Sequence, residues 1–232
     1  MEEFSALFAR CDSIVVFDTE TSGLSFEKDD IIEFSAVRLE RREGKLCVTA
    51  QIDELIRRDR PLPPQIVALT GITDEMLRED GISKEAFATL LAELFTEKTL
   101  LVAYNAQFDL LFLYHFLAKY GDARLLKDKG KLDLLTVYRD RHAYPHRLCN
   151  AIEAYGLEGK VQNSHRAIDD VLATVEVMKE MEAEEADLEK YIDLFGYMPK
   201  YGVSGQRIAS VQYLPQGYRG EGKLYDAAHS LL

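Results

Sequence analysis

The chain has 232 residues, 47% hydrophobic and 29% charged, a balance that supports one full domain with an appendage or two small domains. No window approaches the roughly 18 consecutive apolar residues of a membrane span, and the acidic start Met1-Glu2-Glu3-Phe4 leads into no apolar targeting stretch. Cys11, Cys47 and Cys149 are too scattered for a disulfide framework or a CxxC zinc site, so a cytoplasmic protein without membrane association is expected. The formal net charge of −12 argues against tight non-specific binding of nucleic acid, which depends on neutralising phosphates. That charge is patchy, however. Residues 176–190 are rich in acids, whereas residues 197–223 carry Lys200, Arg207, Arg219 and Lys223 against Glu221 alone.

In chain order, the apolar run Ser13-Ile14-Val15-Val16-Phe17-Asp18 predicts a buried central strand, followed by a polar loop to Asp30. Residues 31–40 mix apolar and polar side chains as a half-exposed strand does. A turn at 42–45 and a further strand over 46–52 complete an antiparallel meander. Pro61, Pro63 and Pro64 open a short helix ending near Gly71, and Thr73 and Ser83 are candidate caps for the helices after it. Residues 100–104 predict another buried strand and 107–120 its helix. Short helices are expected around 133–142 and 148–155, and a longer one from Arg166 into the acidic stretch. Strands interleaved with helices after an antiparallel start imply a three-layer α/β fold with a central mixed sheet flanked by helices. From Tyr197 onward Gly and Tyr become frequent and no long periodic segment remains, which reads as an irregular tail or small add-on.

Three places carry candidate chemistry. Asp18 and Glu20 stand two apart at the end of the first strand, so both carboxylates project from one face. Neighbouring bare carboxylates raise each other's pKa, and a divalent cation with its preference for oxygen ligands removes that cost, although solvated acids at a strand end would look the same. Asp109 opens the helix after the second buried strand, where the helix dipole alone would favour an acid. In Asn163-Ser164-His165-Arg166-Ala167-Ile168-Asp169-Asp170, a helix-start histidine lies four residues from Asp169 and five from Asp170. Spacing does not choose between the two aspartates. The apolar stripe expected from Ile168, Leu172, Val175 and Val171 includes neither.

The order of these motifs says more than any one of them. Phe17-Asp18-Thr19-Glu20-Thr21-Ser22-Gly23-Leu24, then Ile31-Ile32-Glu33-Phe34-Ser35-Ala36-Val37, Leu69-Thr70-Gly71-Ile72, Asn105-Ala106-Gln107-Phe108-Asp109 and His165-Arg166-Ala167-Ile168-Asp169-Asp170 resemble the DEDDh (DnaQ-like) 3′–5′ exonucleases. This is the histidine branch of the DEDD superfamily and includes the proofreading epsilon subunit of bacterial DNA polymerase III. The sister branch has a tyrosine four residues before the last aspartate, where this chain has Arg166. Tyr104 stands where many relatives have histidine.

The resemblance covers residues 10–182. It implies a ribonuclease H-like exonuclease domain over 1–182, with 183–232 as an acidic helix and Tyr/Gly-rich extension. It makes Asp18, Glu20, Asp109 and Asp170 ligands of two divalent cations, Mg²⁺ or Mn²⁺, and His165 the general base, a role that suits an unperturbed imidazole pKa of about 6.5. Thr21 and Leu24 would contact the terminal nucleotide, with Asn105 close by. The implied reaction is hydrolysis of the 3′-terminal phosphodiester of single-stranded DNA, releasing nucleoside 5′-monophosphates in proofreading or repair. A polymerase or other replication protein is the expected partner. RNA trimming is the alternative, because nothing in the sequence reports on a 2′-hydroxyl, and a non-catalytic nucleic-acid-binding or docking module is the alternative of another class. Residues 138–147 combine bases with aromatics, a composition suited to single strands but equally that of a solvated helix and loop.

Overall fold

The computed structural model describes residues 3–161, 166–217 and 222–229; His165 lies outside them. After a single turn of helix, α1 (Ser5–Phe8), come β1 (Ser13–Thr21), β2 (Ile31–Arg42) and β3 (Lys45–Leu55), then α2 (Pro64–Thr70), α3 (Asp74–Glu79) and α4 (Lys84–Leu94). The chain continues through β4 (Thr99–Ala103), α5 (Ala106–Tyr120), β5 (Gly130–Asp133), α6 (Leu134–Arg141), α7 (Leu148–Ala154) and α8 (Ala167–Glu184). It closes with β6 (Leu194–Tyr197), β7 (Gln212–Pro215) and α9 (Leu224–His229). The helix boundaries follow local chemistry. α2 stops at Gly71 in the left-handed region, φ 72°, and the hydroxyls of Thr73 and Ser83 accept from the backbone N–H groups of Met76 and Ala86 to cap α3 and α4.

The main sheet has the order β3-β2-β1-β4-β5, with β1–β2 and β2–β3 antiparallel and β1–β4 and β4–β5 parallel. This is the expected mixed sheet. Both its faces are covered, which explains the unbroken apolar run of β1. Ile14 and Val16 pack with Val171 and Met178 of α8, whereas Val15 and Phe17 pack with Phe87 of α4 and Leu110 and Phe116 of α5. Each such side chain, withdrawn fully from water, contributes about 1.5–3 kcal/mol. No helix among the described residues is long and apolar enough to cross a membrane.

Three features depart from the sequence reading. The strand β5, Gly-Lys-Leu-Asp, has no apolar run to announce it, because Lys131 is buried with its ammonium on the Lys129 carbonyl. On α8 the buried face includes Asp170, Thr174, Val175 and Met178, while Leu172, expected in the stripe, is 41% exposed. The segment after Tyr197 is not merely irregular. β6 and β7 form a parallel pair, and Phe195, Tyr213, Leu214, Leu224 and Tyr225 are buried in the two main core clusters.

The residue-182 division falls inside α8, and polar anchors beyond it tie the later segment down. Arg141 meets Asp187 at 2.5 Å with both side chains almost fully buried, and Tyr225 donates to the other Asp187 oxygen at 2.8 Å. Asp140 accepts from Gln216, Tyr191 and the backbone of Leu224. Over the first turn of α5, the Gln107 amide donates to the carbonyls of Ser204 and Gln206 and accepts from the Tyr213 hydroxyl.

Candidate active site

The site forms where three elements end or begin: the C-terminal end of β1 and the first turns of α5 and α8. Strand geometry carries as far as Glu20, and the register with β2 shifts between Glu20 and Thr21, a bulge that ends regular pairing just after the two acids. Asp18 and Glu20 therefore share a face with Asp170 of α8. Carboxylate oxygens of these three residues lie within 4.8 Å of one another.

Asp109 is 3% exposed in the first turn of α5 and is fixed from β1: the backbone N–H and hydroxyl of Thr19 donate to its Oδ1 at 3.1 and 2.6 Å. It stands beside the group of three rather than within it, and its charge is the largest electrostatic influence on Asp18.

The electrostatics are those of convergent acids out of water. Burial first, then Asp109, Asp170 and Glu20, push the Asp18 carboxyl well above the ordinary carboxylate range. Glu20 is pushed up to about 8 by burial, then by Asp170 and Glu33. Burial also raises Asp109, despite the hydrogen bonds from Thr19 that favour its charged form. Arg166 is the one cation among the leading influences on Glu20, and its guanidinium is already engaged by Glu33. A cluster of hard oxygen donors whose charges are so poorly compensated fits divalent cations of the Mg²⁺ or Mn²⁺ type. Asp18, Glu20 and Asp170 are the residues placed to hold one, with Asp109 adjacent.

The other expected residues are placed as follows. Thr21 is buried, its hydroxyl donating to the Gly23 carbonyl at 2.7 Å, and Leu24 is 88% exposed on the loop beyond. In that loop a Cβ at Gly23 would fall 2.4 Å from the Asp29 carboxylate, so a larger residue there would have to displace that side chain. Asn105 is exposed at the start of α5 with φ 71°, and its side chain makes no cap bond there; its backbone N–H donates to Asp133. Asp170 joins Asp18 and Glu20 and Asp169 does not, a distinction that the spacing from His165 left open.

Two supporting residues were not assigned from the sequence. Glu33 of β2 is fully buried directly across from Glu20 in the register. Its Oε1 accepts from Arg166 at 2.8 and 2.5 Å, and its Oε2 from the backbone N–H of Ala167 at 2.9 Å, so it caps the start of α8 and sets where Asp170 lies. The signal was a lone acid between Ile32 and Phe34, inside a strand. Asp133, at the end of β5, serves α5 and α6 together. Its Oδ1 accepts from the backbone of Asn105, Ala106 and Leu135, and its Oδ2 from the Thr136 hydroxyl.

Comparison with known proteins agrees with this geometry. The family model described as "Exonuclease" (RNase_T) matches residues 15–178. The DNA polymerase III subunit epsilon of Treponema pallidum is 33% identical over 179 residues, covering 75% of this chain and 78% of that protein. The PolC-type DNA polymerase III of Latilactobacillus sakei is 34% identical over 175 residues, but the match spans only 11% of that much longer protein. Among solved structures, E. coli exonuclease I in complex with a dA16 oligonucleotide superposes with a TM-score of 0.68 at 26% identity. That match covers 78% of this chain and 42% of exonuclease I. Fold, motif order and the acidic cluster thus agree: this chain belongs to the exonuclease family and has its ribonuclease H-like architecture.

Proposed function

We propose that the chain hydrolyses the 3′-terminal phosphodiester of single-stranded DNA in proofreading or repair, using two Mg²⁺ or Mn²⁺ ions held by Asp18, Glu20, Asp109 and Asp170. The observation that carries this reading is the convergence of three carboxylates within 4.8 Å in a chain of the exonuclease family. The epsilon subunit and the oligonucleotide complexes of exonuclease I, both similar to this chain, support DNA as the substrate.

Bound there, the cations supply activation of a water and neutralisation of the charge that develops on the scissile phosphate. The protein's part is to hold and to exclude. Thr19 fixes the Asp109 carboxylate, and Glu33 with Arg166 sets the first turn of α8 so that Asp170 meets the two acids of β1. His165 takes a proton from the attacking water. A P–O bond forms to that water as the bond to the 3′-oxygen of the penultimate nucleotide breaks. That oxygen takes up a proton from solvent and leaves as the 3′-hydroxyl of the shortened strand, and a nucleoside 5′-monophosphate is released. Thr21 and Leu24 hold the terminal nucleotide, with Asn105 at the start of α5 facing the strand. The setting is cytoplasmic, with a polymerase or other replication protein as partner.

The test is 3′-end shortening of matched 5′-labelled DNA and RNA single strands with Mg²⁺ or Mn²⁺, beside Asp18→Ala and His165→Ala. Stepwise shortening of DNA that both substitutions abolish is the expected result. Faster shortening of RNA would move the reading to RNA trimming, and no cleavage of either polymer would overturn it.

A further inference from the structure

A groove of about 500 Å³ opens beside the start of α5. Its lining includes Asn105, Arg139 of α6, Tyr144, Arg147, Met198 and Tyr201, and no carboxylate. It shares Asn105, Arg139, Met198 and Tyr201 with a smaller hollow of about 180 Å³, whose one acid, Asp133, is buried and has both oxygens occupied by hydrogen bonds. In a protein of net charge −12, an acid-free groove with two guanidinium groups is distinctive. Among the described residues neither Arg139 nor Arg147 has a carboxylate within ion-pair distance. Among the described residues Arg139 makes a long contact to the Gly196 carbonyl, 3.4 Å, and its charge acts on Asp133, while its buried Nε has no hydrogen-bond partner.

The aromatic side chains complete the chemistry. Tyr144 and Tyr201 are 69% and 70% exposed, and Lys200 lies 5.1 Å from the centre of the Tyr201 ring. The loop bearing Tyr144 and Arg147 is fastened to the end of β4, because the Tyr104 hydroxyl donates to the His146 carbonyl at 2.9 Å. The groove therefore starts at the residue before α5, whose first turn carries Asp109, and runs outward to the C-terminal segment. The larger hollow near Phe26, about 640 Å³, is less suited to a polyanion: its lining carries Glu27, Asp29, Asp30 and Asp59 alongside its cations.

We propose that this groove binds the single strand upstream of the cleaved linkage, with bases stacked on Tyr144 and Tyr201 and phosphates held by Arg139 and Arg147. Aromatic platforms interleaved with arginines are what sequence-tolerant single-strand binding requires. This inference rests on the exonuclease reading and extends it, giving the segment beyond residue 197 a part in holding substrate.

The test separates the groove from the reaction. Fluorescein-labelled dT3 and dT15 are titrated in EDTA, by anisotropy, against the full chain and against Arg147→Gln and the double variant Tyr144→Ala/Tyr201→Ala. Hydrolysis of the p-nitrophenyl ester of thymidine 5′-monophosphate, with Mn²⁺, reports the catalytic centre alone. The expected result is a Kd for dT15 raised about tenfold in the double variant. In Arg147→Gln the slope of log affinity against log salt becomes shallower by about 0.7. Binding of dT3 and ester hydrolysis stay as in the unmodified chain. Unchanged dT15 affinity and salt slope would overturn the groove, as would equal affinity of the unmodified chain for dT3 and dT15. Absent ester hydrolysis with the length-dependent binding intact would instead count against the exonuclease reading alone.

Discussion

Two buried polar clusters in this molecule handle charge in opposite ways. Around Arg141, acids are matched: its guanidinium meets Asp187 and Glu184, and Tyr225 donates to the second Asp187 oxygen. At the end of β1, Asp18, Glu20 and Asp170 converge with Asp109 beside them, and the Arg166 guanidinium that acts on Glu20 is engaged by Glu33. The first arrangement needs nothing from outside the chain and anchors the C-terminal segment. The second leaves its carboxyls raised by burial and by one another, the arrangement that the proposed divalent cations would relieve.

The largest expected effect breaks the unmatched cluster. Asp18→Asn should lower DNA shortening by several orders of magnitude in a gel assay. In metal-free buffer it should also raise stability by about 1 kcal/mol or more, because it removes one member of a mutually repelling group. A fall in metal-free stability would contradict the contrast. Arg141→Ala should do the reverse. It leaves Asp187 buried and unpaired, and denaturant unfolding should show a loss of about 3–5 kcal/mol, with activity per folded molecule retained.

Glu33→Gln sharpens the comparison, since Glu33 is matched by Arg166 yet borders the unmatched acids. A loss of about 1.5–3 kcal/mol is expected from weakened charge-assisted hydrogen bonds. In steady-state kinetics kcat should fall more than KM rises, because Asp170 shifts while the groove is untouched. The smallest effect is in pH. The Glu20 carboxyl is raised from 4.5 to about 8, so the folded chain retains a proton that the unfolded chain releases. The stability it contributes is full below about pH 4.5 and is lost as pH rises toward 8. Melting in EDTA should therefore drop by a few degrees between pH 5 and 8, and added Mg²⁺ should stabilise more at the higher pH.

Much of this was readable in the chain itself, for identifiable reasons. β1 and β4 announce themselves because a strand covered on both faces must be apolar throughout, and the DxE pair is visible because a two-residue period leaves both acids on one side. Glu33 and Asp133 were passed over because their partners, at Arg166 and around Asn105, are distant in sequence. The choice of Asp170 over Asp169 depended on the rotation of α8 against β1, which helical periodicity alone leaves free, and Leu172 was misplaced for the same reason. The C-terminal segment was unreadable because its contribution comes from single aromatic residues, Phe195, Tyr213 and Tyr225, spaced along a chain with little regular structure.

The clasp of Gln107 on the later segment has a practical consequence for anyone redesigning this protein. Two residues before Asp109, one amide spans Ser204, Gln206 and Tyr213, so the segment beyond α8 is stitched to the helix that carries Asp109. A cut placed at the edge of the family match, after residue 178, would strip that stitch away along with the partners of Asp140 and Arg141. The minimal unit for transplanting this activity onto another protein is longer than the stretch that identifies it.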